Sequence, residues 1–249
     1  MGTKSGRLIS LVFIAGLWGI VVSARSSAPA YEVNHSVVGA TVTGQVLYVG
    51  ALPKTQHLLV HRDKAFCGQS MPNEALVVDR ETRGISAVIV SLDGVTKGKP
   101  FSDNQALIIE NRSCRFLPRV LGAAIGTLEI KNADPILHNT HIRRDSRYGD
   151  NVVNVVQPAG GNVIKKPLRE AGLLDVRCDA HPFMRASVQV FDHPYFTVTE
   201  YTGDFQLTDV PADKYELRAW HETLGTQYMT ITVPAEGSMT VTIKLGPEA

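Results

Sequence analysis

The sequence predicts an all-β protein, and three of its features favour this class. The chain is rich in Val, Thr and Ile, residues that are enriched in strands. Gly and Pro recur throughout, and no long stretch shows the apolar periodicity of a helix. Apolar segments follow one another at intervals of about ten residues, a spacing that is typical of a sandwich with short connections.

The N-terminal residues have the three-part pattern of a secretory signal. Lys4 and Arg7 precede an apolar run over residues 8–22, and small residues follow around Ala24 and Ala30. We expect a signal peptide over residues 1–24, with cleavage after Ala30 as the alternative, and a periplasmic or secreted protein. An uncleaved anchor stays open, because the run is long for a signal and short for a span. No later segment approaches spanning length, so we expect no membrane span in the mature chain.

The composition argues against two classes of function. Loss of residues 1–24 removes one Lys and one Arg, so the formal net charge changes from +1 to −1. A near-neutral chain without a basic patch is not expected to bind nucleic acid. No phosphate-binding loop, dinucleotide fingerprint or hydrolase motif occurs either, and we therefore do not expect an enzyme.

The pattern of strands predicts two modules. Residues 25–39 have the character of a linker, and alternating strands begin at Ala40. After Asp192 the strands become short and are separated by regular turns. We therefore predict one domain over residues 40–192 and a smaller one over residues 193–249.

The residues that carry chemistry lie in a short loop. Cys178, His181 and Met184 follow one another at three-residue intervals, and His138 lies upstream. A thiolate, two imidazoles and a weak thioether are the ligands of electron-transfer copper. Zinc is the alternative, held by Cys178, His181, His138 and His141. His138 and His141 would, however, point to opposite faces of a strand.

The same two segments resemble a known family. LHNTHI at residues 137–142, followed by CDAHPFM at residues 178–184, resembles the type 1 copper site of the cupredoxins, and the short loop is similar to that of the amicyanin branch. The resemblance implies a Greek-key cupredoxin β-sandwich that binds one type 1 copper. It implies the ligands His138, Cys178, His181 and Met184, with Asn139 tying the two segments together by hydrogen bonds near the sulfur. It also implies single-electron exchange with a redox partner protein.

The three cysteines allow one further expectation. If Cys178 is committed to a metal, Cys67 and Cys114 are a natural disulfide pair in an oxidising compartment. Two buried free thiols are the alternative, and a bridge to Cys178 would abolish the copper site.

The C-terminal part resembles a second family. Residues 199–221 are similar to a carboxypeptidase-regulatory, transthyretin-like β-sandwich, with Asp213 where the VPxGxY pattern has Gly. Such a module implies no chemistry of its own. His221 is expected to be a packed or capping residue rather than a ligand.

Two other interpretations of the whole chain stay open. It could be a periplasmic copper carrier or sensor, or a structural or carbohydrate-binding protein in which the C-terminal sandwich acts. For electron transfer, Pro182 and Phe183 predict that the edge of His181 reaches the surface through a small apolar patch. Inward packing of Phe183 is the alternative.

Overall fold

The computed structural model describes residues 2, 31–102, 107–247 and 249. The predicted signal peptide over residues 1–24 and the first part of the predicted linker lie outside these residues, Gly2 excepted. The described part is nearly all β, as predicted, with several sheets and one short helix. No helix within it has the length and apolar character needed to cross a bilayer.

The elements of the described residues follow one another in this order along the chain. They are β1 (Glu32–Val33), β2 (Ala40–Tyr48), β3 (His57–Leu59), α1 (Lys64–Cys67), β4 (Ser70–Pro72), β5 (Ile89–Asp93), β6 (Lys97–Gly98), β7 (Leu107–Arg112), β8 (Arg115–Leu117), β9 (Val120–Ala124), β10 (Gly126–Asn132), β11 (His138–Arg144), β12 (Asn151–Gln157), β13 (Ile164–Leu168), β14 (Gly172–Arg177), β15 (Arg185–Phe191), β16 (Phe196–Val198), β17 (Asp204–Val210), β18 (Asp213–His221), β19 (Gly225–Val233) and β20 (Ser238–Leu245).

The first sandwich consists of two sheets. One has the strand order β13-β10-β7-β8 and the other β12-β11-β14-β15-β9. Alternate residues of both sheets, such as Ile109 and Ile130 on one side and Val176 and Val188 on the other, are buried in a single apolar cluster. This period of two is the reason these segments form strands with one face toward a core.

The second sandwich also has two sheets. Their strand orders are β16-β5-β18-β19 and β17-β2-β20. In β18 the alternation is visible directly, because Tyr215, Leu217 and Ala219 are buried in the cluster that fills this sandwich. From the facing sheet, Val42 and Ile243 are buried in the same cluster.

The division of the chain between the sandwiches differs from the prediction of domains over residues 40–192 and 193–249. Strand β2 lies between β17 and β20, and β5 lies between β16 and β18. Both early strands thus belong to the sheets of the C-terminal sandwich. The physical reason is that their apolar residues, Val42 and Val90 among them, complete the core of that sandwich. Sequence order alone gave no sign of this pairing across more than 100 residues.

The two sandwiches pack against each other across β5. This strand is buried along nearly its whole length, because Val90 and Leu92 face the second core while Ile89 faces the first sandwich. Ile89 packs there with Val120 and Phe191. A strand covered on both faces has a continuous apolar sequence rather than an alternating one.

Candidate metal centre

The predicted ligands meet at one end of the five-stranded sheet. His138 is the first residue of β11, and Cys178 directly follows the last residue of β14. Because β11 and β14 are antiparallel neighbours, the first residue of one strand and the last residue of the other lie at the same end of the sheet. Residues 178–184 then connect β14 to β15, whose paired ends Arg177 and Arg185 close the loop.

Three potential donor atoms converge at this end of the sheet. The Sγ atom of Cys178 lies 4.0 Å from Nδ1 of His138 and 3.6 Å from Nδ1 of His181. With metal–sulfur and metal–nitrogen bonds of about 2.3 and 2.0–2.1 Å, sulfur and nitrogen ligands of one ion lie roughly 3.6–3.8 Å apart. The three residues are buried and their donor atoms form one group within 4.8 Å. The donor set therefore fits a soft or borderline metal ion such as copper.

Each imidazole is oriented by a carboxylate on its far side. The Nε2 atom of His138 lies 2.9 Å from Asp134, and Nε2 of His181 lies 2.9 Å from Asp63. Since a carboxylate only accepts hydrogen bonds, each Nε2 carries the proton and each Nδ1 lone pair is free. Both free lone pairs are thus on the side of the Cys178 sulfur, which is the arrangement a ligand requires.

The sulfur atom has its own fixed environment. The backbone N–H of Asn139 donates to Sγ of Cys178 at 3.3 Å. The side-chain oxygen of Asn139 accepts from the N–H of Asp179, and its amide group donates to Asn154 and to the carbonyl of Val155. Asn139 thereby joins the His138 segment, the Cys178 loop and β12. This is the tying role that the resemblance implied for it.

Burial sets the protonation states of the ligands. It raises the pKa of the Cys178 thiol above its usual value, although N–H groups of Asn139, His181 and Ala180 oppose the rise. It also lowers the pKa of His138, an effect that the hydrogen bond to Asp134 partly opposes. The imidazole is therefore neutral at pH 7, as a ligand must be, and metal binding must expel the proton of the thiol.

Met184 closes the loop that carries Cys178 and His181. Its backbone N–H donates to the carbonyl of His181 at 2.8 Å, and its carbonyl accepts from the N–H of Cys178 at 3.4 Å. The side chain is buried in the core cluster that also contains Cys178. The structure therefore brings the donor atoms of His138, Cys178 and His181 together and places Met184 at the end of the same loop.

His141 does not join them. Its Nδ1 atom contacts the carboxylate of Asp179 at 3.0 Å, and the group of potential ligands around Cys178 contains only His138 and His181 in the described part of the chain. The odd separation from His138 along β11 places the two imidazoles on opposite faces. The four-ligand zinc site that was the alternative is thus not assembled.

The expected surface exposure of His181 is wrong. The side chain of His181 is fully buried, and Asp63 covers the Nε2 edge. Phe183 is half-buried and meets the His181 ring edge to face, with centroids 5.7 Å apart. Phe183 lies beside the ring, but the sequence did not reveal that a distant segment, with Asp63, covers its Nε2 edge.

Asp63 and Asp134 are the site residues that sequence reasoning missed. Asp134 lies in the turn before β11, where its four-residue distance from His138 is a weak signal in a non-helical segment. Asp63 is separated from His181 by 118 residues and has no local signal at all. The structure also joins Cys67 and Cys114 in a disulfide and leaves Cys178 free, the pairing expected from the sequence.

Comparison with known proteins gives a limited result. No family model matches the chain, and no protein of curated function matches it. Among solved structures, amicyanin from Paracoccus versutus is 20% identical with a TM-score of 0.31, and the match covers 41% of this chain and 97% of amicyanin. The copper-containing nitrite reductase NirK from Thermus scotoductus SA-01 is 19% identical with a TM-score of 0.31, covering 36% of this chain and 23% of the reductase. Matches of this strength do not establish a function for the chain.

Proposed function

We propose that this chain is an exported protein that holds one type 1 copper ion and exchanges single electrons with a redox partner protein. The observation that supports the proposal is the convergence of Nδ1 of His138, Sγ of Cys178 and Nδ1 of His181 at one buried point. Met184 ends the same loop and is proposed as the weak axial ligand. When bound, copper would supply exchange of one electron between its Cu(I) and Cu(II) states.

The protein part of this function is to hold the ligands still. His138 and Cys178 are attached to paired strands of one sheet, which resist displacement. Asn139, Asp134 and Asp63 fix the orientation of the sulfur and of both rings. A rigid ligand frame reduces the rearrangement that accompanies a change of charge on the metal, and electron exchange requires that rearrangement to be small.

We propose binding and electron transfer rather than catalysis. The described side chains of His138, Cys178 and His181 are at most 1% exposed, so their donor atoms do not meet solvent. A catalytic metal site keeps an open position for water or substrate. The same burial favours retention of the ion over its delivery, which would distinguish this protein from a copper carrier.

We propose that the second sandwich is a domain of the carboxypeptidase-regulatory, transthyretin-like type and that it performs no chemistry of its own. The resembling residues 199–221 contain β17 and β18, which belong to the two facing sheets of this sandwich. Asp213, which replaces the Gly of the pattern, starts β18 and is not among the residues with positive φ. Glycine is therefore not required at this position.

The experiment is to produce the chain without residues 1–24, add Cu(II), and record visible and EPR spectra. We expect an intense thiolate-to-copper absorption and one Cu(II) per chain. Cys178→Ser should lose the absorption, whereas Met184→Leu should keep it with a changed reduction potential. Met71→Leu, which alters a half-buried methionine of the same core, is the matched control and should change neither.

Two results would contradict the proposal. A colourless protein that retains zinc under these conditions would exclude a type 1 copper site. Complete transfer of Cu(I) to a chelator within seconds would favour the carrier function instead.

A further inference from the structure

The carboxylates behind the two imidazoles belong to segments that are covalently connected. Asp63 immediately precedes α1, whose last residue is Cys67, and Asp134 binds the turn that contains Cys114. The Cys67–Cys114 disulfide joins these two segments. A continuous path thus runs from His181 through Asp63, the disulfide and Asp134 to His138.

Asp134 is held in place by backbone groups. Its two carboxylate oxygens accept the N–H groups of Ser113 at 2.6 Å and Cys114 at 2.8 Å. Ser113 and Cys114 both have positive φ, at 52° and 56°, a conformation that normally favours Gly or Asn in a two-residue hairpin turn. The two charge-assisted hydrogen bonds offset that cost and point the same carboxylate at His138.

Asp63 is held in a different way. It has a φ of 54° and makes no side-chain capping bond to α1, while its carbonyl accepts the N–H groups of Phe66 and Cys67. The backbone is therefore anchored, and the carboxylate contacts His181 at 2.9 Å and Arg62 at 3.5 Å. An aspartate at the start of a helix usually stabilises the helix by a side-chain capping bond. Asp63 lacks that bond because its carboxylate contacts His181 instead.

We propose that Asp63 and Asp134 are positioning residues that act on the copper ion through His181 and His138 and that stabilise its Cu(II) state. This inference rests on the function proposed above. Hydrogen bonds from carboxylates make imidazole ligands more electron-rich. The Cys178 thiolate, the two carboxylates and Arg62 beside Asp63 together carry two negative charges, which Cu(II) neutralises and which Cu(I) leaves with an excess of one. In a buried site this excess favours the more highly charged ion.

The test measures the ratio of Cu(I) to Cu(II) at one fixed solution potential in four proteins: the parent chain, Asp63→Asn, Asp134→Asn and Asp179→Asn. We expect Asp134→Asn to raise the ratio at least about tenfold, which corresponds to about 59 mV for a one-electron couple. Asp63 is 35% exposed, so solvent screens its charge and the rise in Asp63→Asn should be smaller, about threefold or more.

Asp179→Asn is the matched control. Asp179 forms the same kind of hydrogen bond, but to His141, which is not a proposed ligand. It follows Cys178 in sequence, so its substitution removes a charge near the sulfur without touching a ligand ring. We expect a change of less than about twofold because this carboxylate is exposed. An effect as large as that of Asp63→Asn would overturn the positioning role.

A second measurement does not depend on the potential. In the Cu(I) form, proton NMR should show a slowly exchanging Nε2–H signal for each of His138 and His181. Exchange at His181 alone should become faster in Asp63→Asn. If Asp134→Asn does not fold because the Ser113–Cys114 turn loses its acceptor, Asp63→Asn decides the question. A parent chain with the copper spectrum but unchanged ratios in the variants would refute this inference alone, whereas a parent chain without that spectrum would refute the proposed function.

Discussion

At the scale of single residues, one asparagine side chain connects three separate parts of the site. Asn139 accepts from the N–H of Asp179 at 3.1 Å and donates to Asn154 at 2.7 Å and to the carbonyl of Val155 at 3.2 Å. Its backbone N–H contacts the sulfur of Cys178 whatever the side chain is. The side chain therefore controls the position of the ligand loop, and the backbone controls the contact to sulfur.

Substitution of Asn139 by Ala should destabilise the protein and loosen the site. The N–H of Asp179 and the carbonyl of Val155 lose their partner, so we expect the free energy of unfolding to fall by about 1–3 kcal/mol. With copper bound, the EPR lines should broaden because the loop samples more positions. Chemical denaturation of the copper-free form measures the first effect. Asn151→Ala, at an exposed position of β12, is the control, and an equal loss in both variants would contradict the connecting role.

At the scale of elements, the disulfide fastens a segment that has few other attachments. Strands β3 and β4 pair only with each other among the described strands, and α1 between them has a single turn. Cys67 and Cys114 are both buried in the core of the first sandwich. The bridge thus holds β3, α1 and β4 against the end of the first sandwich that carries His138, Cys178 and His181.

Removal of this bridge should lower stability markedly. For a separation of 47 residues, the chain-entropy estimate gives about 4 kcal/mol. The double variant Cys67→Ser, Cys114→Ser should therefore unfold at a clearly lower denaturant concentration than the parent chain in its copper-free form. The comparison is the parent chain with its disulfide intact, unfolded in the same buffer without reductant. A loss below about 1 kcal/mol would show that packing alone holds this segment.

His221 at the end of β18 gives the protein a defined pH dependence. Burial, and secondarily the positive charge of Arg119, lowers the pKa of His221 to about 4, below about 6.5 in the unfolded chain. The unfolded state therefore binds more protons between these values, and stability is lost as pH falls from about 6.5 toward about 4. The contribution of this one residue is about 3 kcal/mol.

The measurement is the free energy of unfolding of the copper-free protein between pH 7 and pH 4, for the parent chain and for His221→Asn. Nδ1 of His221 accepts the N–H groups of Thr223 and Leu224, and the Asn oxygen can replace this acceptor. We expect the free energy of unfolding of His221→Asn to depend less steeply on pH than that of the parent chain. His35→Asn, at an exposed position, is the control. If the free energy of unfolding depended equally steeply on pH in the parent chain and in His221→Asn, His221 would not be a source of the pH dependence.

Local chemistry explains which features the sequence could predict. His138, Cys178, His181 and Met184 could be predicted as ligands because the type and spacing of such residues are visible within short segments of the sequence. The all-β class follows from alternation, which is also local. His221 caps a turn two and three residues away, again within reach of a sequence pattern.

Long-range pairing explains what the sequence could not predict. The contact between Asp63 and His181 joins two loops that are 118 residues apart. The sequence of neither loop contains a pattern that predicts contact with the other. In the same way β2 is parallel to β20, although each strand alone has an ordinary alternating sequence. Such pairings depend on the total burial of the folded chain rather than on any one segment.

At the scale of the whole molecule, the two sandwiches share an apolar interface. The rings of Phe191 and Phe196 stack with centroids 4.3 Å apart, and Ile89 packs beside Phe191. Arg119 donates to Glu222 at the edge of this contact, where burial raises the pKa of Glu222. Strand β15 therefore starts directly after the loop that carries Cys178 and His181 and ends, at Phe191, in the contact with the second sandwich.

A chain truncated after Asp192 should not yield an intact copper module. The truncation removes β16 to β20, so β2 loses β17 and β20 while β5 loses β16 and β18. The apolar side chains of β2 and β5, buried in the second core, would then meet water beside unpaired strand edges, a combination that favours aggregation. We expect strong binding of a hydrophobic dye and oligomers in gel filtration. Truncation after Leu245, which keeps every strand, is the control and should stay monomeric. A monomeric residue 1–192 chain with an unchanged thermal transition would show instead that the first sandwich and its copper site are independent of the second.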